Sequence, residues 1–272
     1  MTPRGRLAGT QQRPSRSALR GVLTTPASTT KDIRSFFDRC AATGFREAHG
    51  HPERLLQHRL ALVRNLAQPR STDVVLDLGC GNGHHLLALA PEIARGIGID
   101  VSPGMIELAR TRVRSTPWRG KLTFAVDNAE QLTAIADQSV DLVICIGAFE
   151  HMLDKRAALS SVYRVLKFGG RFICLAPRAD YIWYRTLAPL LGFATKHLSS
   201  DRMLTHDEFC GLLAHAGFCR IRSVPWTFIP KGDMPNLVAS LLAGLDAIGH
   251  YARLESLRGG LALCACKQSK PI

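Results

Sequence analysis

The sequence lacks the features that mark membrane-spanning and secreted proteins. No apolar run approaches the roughly 18 residues that a transmembrane helix needs, and we expect no secretory signal. None of the eight cysteines forms a C-x-x-C pair, and four lie in apolar, strand-like runs, where a thiol behaves as a small hydrophobe. This usage predicts reduced thiols, a cytoplasmic location and no metal site.

Acidic residues are scarce, with 22 Asp and Glu against 35 Lys and Arg and a formal net charge of +13. An excess of this size attracts phosphate and favours nucleic acid as a partner. The arginines are spread along the chain, however, without a dense basic block or a basic strand interleaved with aromatic residues. The sequence therefore predicts a basic surface without a dedicated nucleic-acid partner.

Residues 1–30 contain five arginines, no acid and many Ser, Thr, Pro and Gly. Such a segment cannot bury enough apolar surface to offset its ordering entropy, so we predict a disordered basic tail. Its composition is also typical of an organellar transit peptide. We favour instead a solvated tail, or an N-terminal extension that results from a start codon assigned too far upstream. Residues 31–70 are predicted to form an N-terminal helical cap, because their apolar side chains recur at helical spacing.

The most informative segment is Val74–Gly83, which reads VVLDLGCGNG. Its apolar start fits a buried parallel strand, and the glycines let backbone approach a ligand where a Cβ would intrude. Asp100 lies nineteen residues past Gly81, where the next strand would end. A carboxylate at that position can accept both hydroxyls of an adenosine ribose.

The glycine pattern differs from the Gly-x-Gly-x-x-Gly of dinucleotide-binding proteins, whose third glycine would fall on His84. Asp77, just before the glycines, would repel a pyrophosphate and attract an ammonium or sulfonium group. The sequence therefore favours a cationic nucleoside over NAD. The chain resembles the class I S-adenosylmethionine-dependent methyltransferases in three features: the glycine loop, the acidic residue before it and the distance from the loop to Asp100.

The resemblance covers about residues 73–267 and implies S-adenosylmethionine as the cofactor. It implies that Asp77 faces the ammonium of the methionine end, that Asp100 takes the ribose and that Asp127 lies near the adenine amino group. Asp127 has an alternative role, because Asp also favours the turns that follow strands. The other cofactor-binding residues that the resemblance implies are Gly79, Cys80, Gly81, Asn82, Gly83, Val101, Met105, Asn128, Ala129, Ile146 and Gly147.

Apolar runs that alternate with helical patterns predict βαβ units and a parallel sheet covered on both faces. The resemblance implies a Rossmann-like α/β fold over residues 71–272, with a seven-stranded, mostly parallel sheet whose last strand is antiparallel. The sequence predicts a short helix after the third strand and, from the capping box at Thr205–Glu208, a later one. The predicted strands are Val74–Leu78, Gly96–Asp100, Leu122–Val126, Val140–Ile146, Arg171–Ala176, Cys219–Phe228 and Leu261–Lys267, with helices over 83–93, 103–113 and 155–165.

The segment after the fourth strand indicates the kind of acceptor. Amino-group methyltransferases of nucleic acids typically have an Asn/Asp-Pro-Pro-aromatic motif there, whereas this chain has Gly-Ala-Phe-Glu-His over 147–151. Phe149-Glu150-His151 resembles small-molecule and lipid methyltransferases, including the ubiquinone/menaquinone C-methyltransferases, where the tripeptide borders the acceptor site. Glu150 and His151 are the candidate catalytic residues, with His151 a base near neutral pH. A packing or hydrogen-bonding role for His151 is the alternative.

Two apolar additions, near 181–193 and 232–258, fall where substrate lids occur in such a fold. With Phe36, Phe37, Trp183 and Trp226 they are candidates to enclose a lipophilic acceptor. The sequence therefore predicts methyl transfer to a small, lipophilic acceptor at oxygen or carbon, with peripheral membrane contact left open. The alternatives are an RNA methyltransferase, favoured only by charge, and a cofactor-binding regulatory protein without catalysis.

Overall fold

A computed structural model describes residues 29–42, 52–190, 192, 198, 200–226, 236–254 and 257–268. The predicted basic tail, apart from its last two residues, and parts of both apolar additions lie outside these ranges. None of the helices in the described ranges has the length and apolar content of a bilayer-spanning segment.

Seven strands form one sheet in the order β3-β2-β1-β4-β5-β7-β6. Strands β1 to β5 pair in parallel, whereas β7 pairs antiparallel with both β5 and β6. This confirms the predicted Rossmann-like sheet with an antiparallel last strand. The strands are β1 Val74–Leu78, β2 Arg95–Asp100, β3 Leu122–Val126, β4 Val140–Ile146, β5 Leu166–Pro177, β6 Phe218–Trp226 and β7 Gly260–Lys267.

Side-chain caps mark the start of some of the helices. Asp154 accepts hydrogen bonds from two backbone amides of the first turn of α5 (Lys155–Val165), and the predicted capping box of Thr205 and Glu208 is present at α7 (His206–His215). The helices are α1 Thr30–Ala42, α2 Pro52–Ala67, α3 His84–Leu89, α4 Pro103–Arg114, α5 Lys155–Val165, α6 Ala188–Leu190, α7 His206–His215 and α8 Asn236–Tyr251.

The sheet is covered on both faces, as its apolar strands require. Alternate residues of β4 belong to different core clusters, because successive side chains of a strand point to opposite faces. Val143 and Cys145 pack in the cluster that includes residues of α5 and α7, whereas Leu142 and Ile144 pack in the cluster that includes residues of α2. The cap helix α2 is therefore part of the main core.

Three predicted elements differ from the structure. The helix predicted over 83–93 ends at Leu89, and a single 3-10 turn with Pro91 follows it. The predicted short helix between β3 and β4 is wrong, because the Asp127 carboxylate accepts hydrogen bonds from the amides of Asn128 and Ala134 and from the Thr133 hydroxyl, which hold turns instead. Strand β5 begins at Leu166, not Arg171, because its first residues also pair with β4 through a register shift.

Helix α8 has two apolar faces with different surroundings. Leu242 is buried against the aromatic residues of the first apolar addition, in a cluster with Tyr181 and Trp183. On the other face, Leu237 and Tyr251 are 74% and 85% exposed. The predicted peripheral membrane contact remains a prediction.

Candidate active site

A cavity of about 500 Å³ lies at the carboxyl ends of β1, β2 and β4. Strand β1 lies between β2 and β4, so the chain leaves β1 on one side and later returns on the other. Ligands of open α/β sheets bind at such a reversal of strand order. The walls of the cavity come from these strand ends, from α1 and α2, and from the loops after β3 and β4.

The glycine loop keeps its shape through the second strand. The Cys80 amide donates to the Ile99 carbonyl at 2.8 Å, and the Gly81 amide donates to the Asp100 carboxylate at 2.9 Å. Gly79 has a φ of +71°, and a Cβ on it would lie 2.5 Å from the Ala148 Cβ. At Gly81, with a φ of +51°, no atom of the described residues lies within 4 Å of an added Cβ. The loop thus presents bare backbone to the cavity.

Asp77 lies beneath this loop and is 1% exposed. Neither of its carboxylate oxygens has a hydrogen-bond partner among the described residues. Burial, and then the nearby Asp100 carboxylate, raise the pKa of Asp77 to about 8. A buried acid without partners is unfavourable in the protein alone, and a cationic group would satisfy it. The residues here therefore fit the ammonium end of S-adenosylmethionine.

Asp100 forms the neighbouring part of the cavity wall. Its two oxygens accept hydrogen bonds from the amides of Gly81 and Ser102, each at 2.9 Å. Burial raises the pKa of Asp100, and the two amides act against that effect. Each carboxylate oxygen can accept more than one hydrogen bond, so Asp100 can also accept hydrogen bonds from ribose hydroxyls.

Helix α1 covers the part of the cavity next to Asp100. Asp38 accepts hydrogen bonds from the Ser102 hydroxyl at 2.5 Å and from the Gly104 amide at 3.0 Å. The Arg34 Nε donates to the Val101 carbonyl at 2.9 Å. Sequence reasoning missed both residues, because nothing in a helical pattern shows which loop its polar face will meet.

His151 forms a buried pair with Asp201. The two side chains meet at 2.6 Å between Nδ1 and Oδ1, and the second Asp201 oxygen accepts from the Leu198 amide at 2.9 Å. Burial lowers the pKa of His151, but the hydrogen bond to Asp201 and the charges of Glu150 and Asp201 outweigh it, so that the pKa is raised. His151 lines the cavity, and the Phe37 ring meets it edge-on with centroids 5.2 Å apart.

Most of the predicted site residues lie together in the cavity wall. Asp77, Gly83 and Glu150 are the exceptions among them. Gly83 packs against Phe124 as the N-cap of α3, and the Glu150 Oε2 atom is buried without a hydrogen-bond partner in the described structure. The predicted residues in the wall are Gly79, Cys80, Gly81, Asn82, Asp100, Val101, Met105, Asp127, Asn128, Ala129, Ile146, Gly147 and His151.

The predicted aromatic enclosure is only partly present in that wall. Phe37 lines the cavity, whereas Phe36 packs with Ile33 and Leu198. Trp183 lies in the cluster under α8, and the Trp226 ring stacks beneath the Arg59 guanidinium. Aliphatic side chains supply the rest of the apolar lining, among them Ile33, Leu55, Leu56 and Met152.

Comparison with known proteins agrees with this geometry. Residues 76–174 match the family model described as a methyltransferase domain. The demethylmenaquinone methyltransferase of Lactiplantibacillus plantarum is 36% identical over 175 residues, which cover 57% of this chain and 73% of that protein. The enzyme of the same name from Symbiobacterium thermophilum is 34% identical over 136 residues, or 46% of this chain. The match spans about half, 54%, of the Symbiobacterium protein.

Solved structures show the same fold. The geranyl diphosphate C-methyltransferase of Streptomyces coelicolor A3(2), solved with Mg²⁺, geranyl diphosphate and S-adenosyl-L-homocysteine, superposes with a TM-score of 0.63 at 16% identity. The superposition covers 89% of this chain and 100% of that one. With the sheet order, the glycine loop and the sequence matches, this confirms the resemblance: the chain belongs to the class I S-adenosylmethionine-dependent methyltransferases.

Proposed function

We propose that the protein transfers the methyl group of S-adenosylmethionine to a small, lipophilic acceptor at oxygen or carbon. The observation that carries this proposal is the buried, unpartnered Asp77 carboxylate beneath a glycine loop, next to a cavity that extends to His151. A site that binds the cofactor alone would need neither an apolar wall nor the His151–Asp201 pair.

The cofactor, when bound, supplies a methyl group on a sulfonium that a nucleophile can displace. Asp77 would hold the ammonium, Asp100 the ribose hydroxyls, and the backbone of Gly79–Gly83 would accommodate the chain between them. Asp127, Asn128 and Ala129 would border the adenine. The protein's main contribution to such a displacement is orientation and the exclusion of water.

His151 would remove a proton from the acceptor. Asp201 holds the Nδ1 side of the ring at 2.6 Å, which fixes its orientation and assigns proton transfer to Nε2. A base of this kind suits a hydroxyl group or an activated carbon, whose nucleophile is generated by deprotonation. Glu150 contributes through its charge, which raises the pKa of His151.

The acceptor class follows from the lining of the cavity. The apolar part of the wall includes Phe37, whose ring meets His151, together with Ile33, Met152, Leu55 and Leu56. These side chains favour an apolar small molecule over a nucleic acid, which needs basic and stacking residues. All eight cysteines are free thiols, which supports a reducing, cytoplasmic setting.

Label transfer tests the function directly. Purified protein is incubated with methyl-labelled S-adenosylmethionine and a total extract of the source cells, and the organic, nucleic-acid and protein fractions are counted. We expect label in the organic fraction, and none when Asp100→Ala replaces the wild type. Label in the nucleic-acid fraction would support the RNA alternative. Cofactor binding without transfer to any fraction would support a regulatory protein.

A further inference from the structure

Arg59 is a half-buried cation with a buried Nε atom, and the proposed chemistry does not use it. It lies on α2 between residues that fix the helix in place, since its neighbour Leu60 and the nearby Val63 are buried in the core. Its side chain lines the cavity, and its guanidinium carbon lies 5.4 Å from the centre of the Trp226 ring. Stacking on that ring orients the planar guanidinium.

Apart from the Trp226 ring, the guanidinium has no hydrogen-bond or ion-pair partner among the described residues. Its Nε atom is buried without a hydrogen bond, and Arg59 forms no ion pair with any described residue. Burial lowers the pKa of Arg59 to about 10, against the charges of Glu150 and Tyr184, so the group is still charged at neutral pH. A buried, unpaired charge is costly unless a ligand pairs with it.

Among the basic side chains of the cavity wall other than His151, Arg59 and Arg112 are the charged ones. His84 and His85 also line the cavity, but burial and then neighbouring charge lower their pKa values, to about 4 for His84, so both rings are neutral. Arg112 donates to the Asn82 carbonyl at 2.9 Å. At Gly147, a Cβ would lie 3.2 Å from the Arg59 Nη2 atom, so the glycine gives the guanidinium room at the end of β4.

We propose that Arg59 is an oxyanion-binding residue of this cavity and that it takes a carboxylate through its planar fork of N–H donors. The inference deepens the proposed function and rests on it for one of two sources of that carboxylate. The first source is the methionine carboxylate of the cofactor, whose ammonium Asp77 would hold. The second is an acidic group on the acceptor.

Calorimetric titration separates these sources. The probes are S-adenosylhomocysteine, its decarboxylated analogue, which keeps the ammonium, and benzoate as a simple carboxylate. The proteins are the wild type, Arg59→Gln, Arg59→Met, which keeps an unbranched stem over Trp226, and Arg54→Gln as a control from the exposed side of the same helix. Because an unpaired buried charge is removed, both Arg59 variants should unfold at or above the wild-type temperature.

For the cofactor source, the Arg59 variants should bind S-adenosylhomocysteine at least about tenfold more weakly and the decarboxylated analogue as the wild type does. For the acceptor source, they should lose only the binding of benzoate. Unchanged affinity for both carboxylates would overturn the inference, as would an equal loss for the decarboxylated analogue. A wild type that binds benzoate but not S-adenosylhomocysteine would contradict the proposed function and leave Arg59 as an anion site.

Discussion

Asp77 shows most clearly, at the scale of single residues, that this site is shaped for a ligand. A buried carboxylate with no partner destabilises the protein that contains it. Its raised pKa means that the folded protein holds a proton that the unfolded chain has already lost. Between pH of about 4 and about 8 the cofactor-free protein therefore loses stability as the pH rises.

Asp77→Asn should stabilise the cofactor-free protein and abolish cofactor binding. The neutral amide avoids the cost of ionisation, so the unfolding temperature should rise by several degrees at pH 8 and less at pH 5, at about 2–4 °C per kcal/mol. Thermal unfolding at the two pH values and calorimetry with S-adenosylhomocysteine measure both effects. A variant that is less stable at pH 8 and still binds would contradict the role of Asp77.

Cofactor binding should release a proton at neutral pH. Asp77, with a pKa of about 8, is mostly protonated in the free protein at pH 7, and an ammonium ligand favours the ionised form. Affinity should rise up to about tenfold per pH unit until the pH passes the pKa. Titrations in buffers of different ionisation enthalpy count the protons released. An affinity that does not depend on pH, together with no proton release, would contradict the predicted ionisation of Asp77 on binding.

The His151–Asp201 pair predicts a pH-rate profile. If His151 is the base, as proposed, its neutral imidazole is the active form, and turnover should rise with pH through the raised pKa of His151. Asp201→Asn removes the charge that raises this pKa, so the midpoint should move to lower pH while the plateau falls. His151→Ala should lower turnover by about 10²–10⁴ with cofactor affinity unchanged.

A residue that merely packs behaves differently under the same assay. His151→Ala would then lower the unfolding temperature, and the folded fraction would retain near-normal turnover. The Asp201→Asn profile would also keep the wild-type midpoint. Turnover, pH profile and unfolding temperature together therefore distinguish a base from a packing residue.

At the scale of elements, strands were predictable from the sequence where the hydrophobic pattern and the loop-forming residues agree. Strands β1, β3 and β4 have the predicted ends because apolar runs end at loop-forming residues there. The segment after β3 was not predictable in this way. Its turns depend on three hydrogen bonds to one carboxylate, that of Asp127, and side-chain bonds of this kind compete with helix formation without changing the hydrophobic pattern.

Helix α1 should act as a cover whose attachment matters for binding. Asp38→Ala removes two hydrogen bonds to the start of α4, each worth about 0.5–1.5 kcal/mol, so cofactor affinity should fall several-fold. Limited proteolysis should then cut within α1 faster, and cofactor should slow the cutting. Ser35→Ala, on the exposed side of the helix, is the control. Unchanged affinity and proteolysis would show that Asp38 does not secure the cover.

Over the whole molecule, the site combines one local motif with contacts between distant segments. Asp77, the glycine loop and Asp100 were predictable because they follow one another along a βαβ unit. Asp201 joins His151 across 50 residues, and Asp38 joins Ser102 across 64. Arg59 belongs to a helix whose pattern predicts only which face is buried. Such partners are set by tertiary packing, for which a single sequence gives no periodic signal.

The central claim is that the reversal of strand order at β1 holds S-adenosylmethionine through Asp77 and Asp100. Calorimetric titration of S-adenosylmethionine into the wild type and into Asp100→Ala tests this most directly, with circular dichroism to show that the variant is folded. We predict saturable, one-to-one binding to the wild type. The variant should bind at least about tenfold more weakly, because it lacks the carboxylate proposed to accept the ribose hydroxyls. Equal affinity in a folded variant, or no binding to the wild type, would contradict the claim.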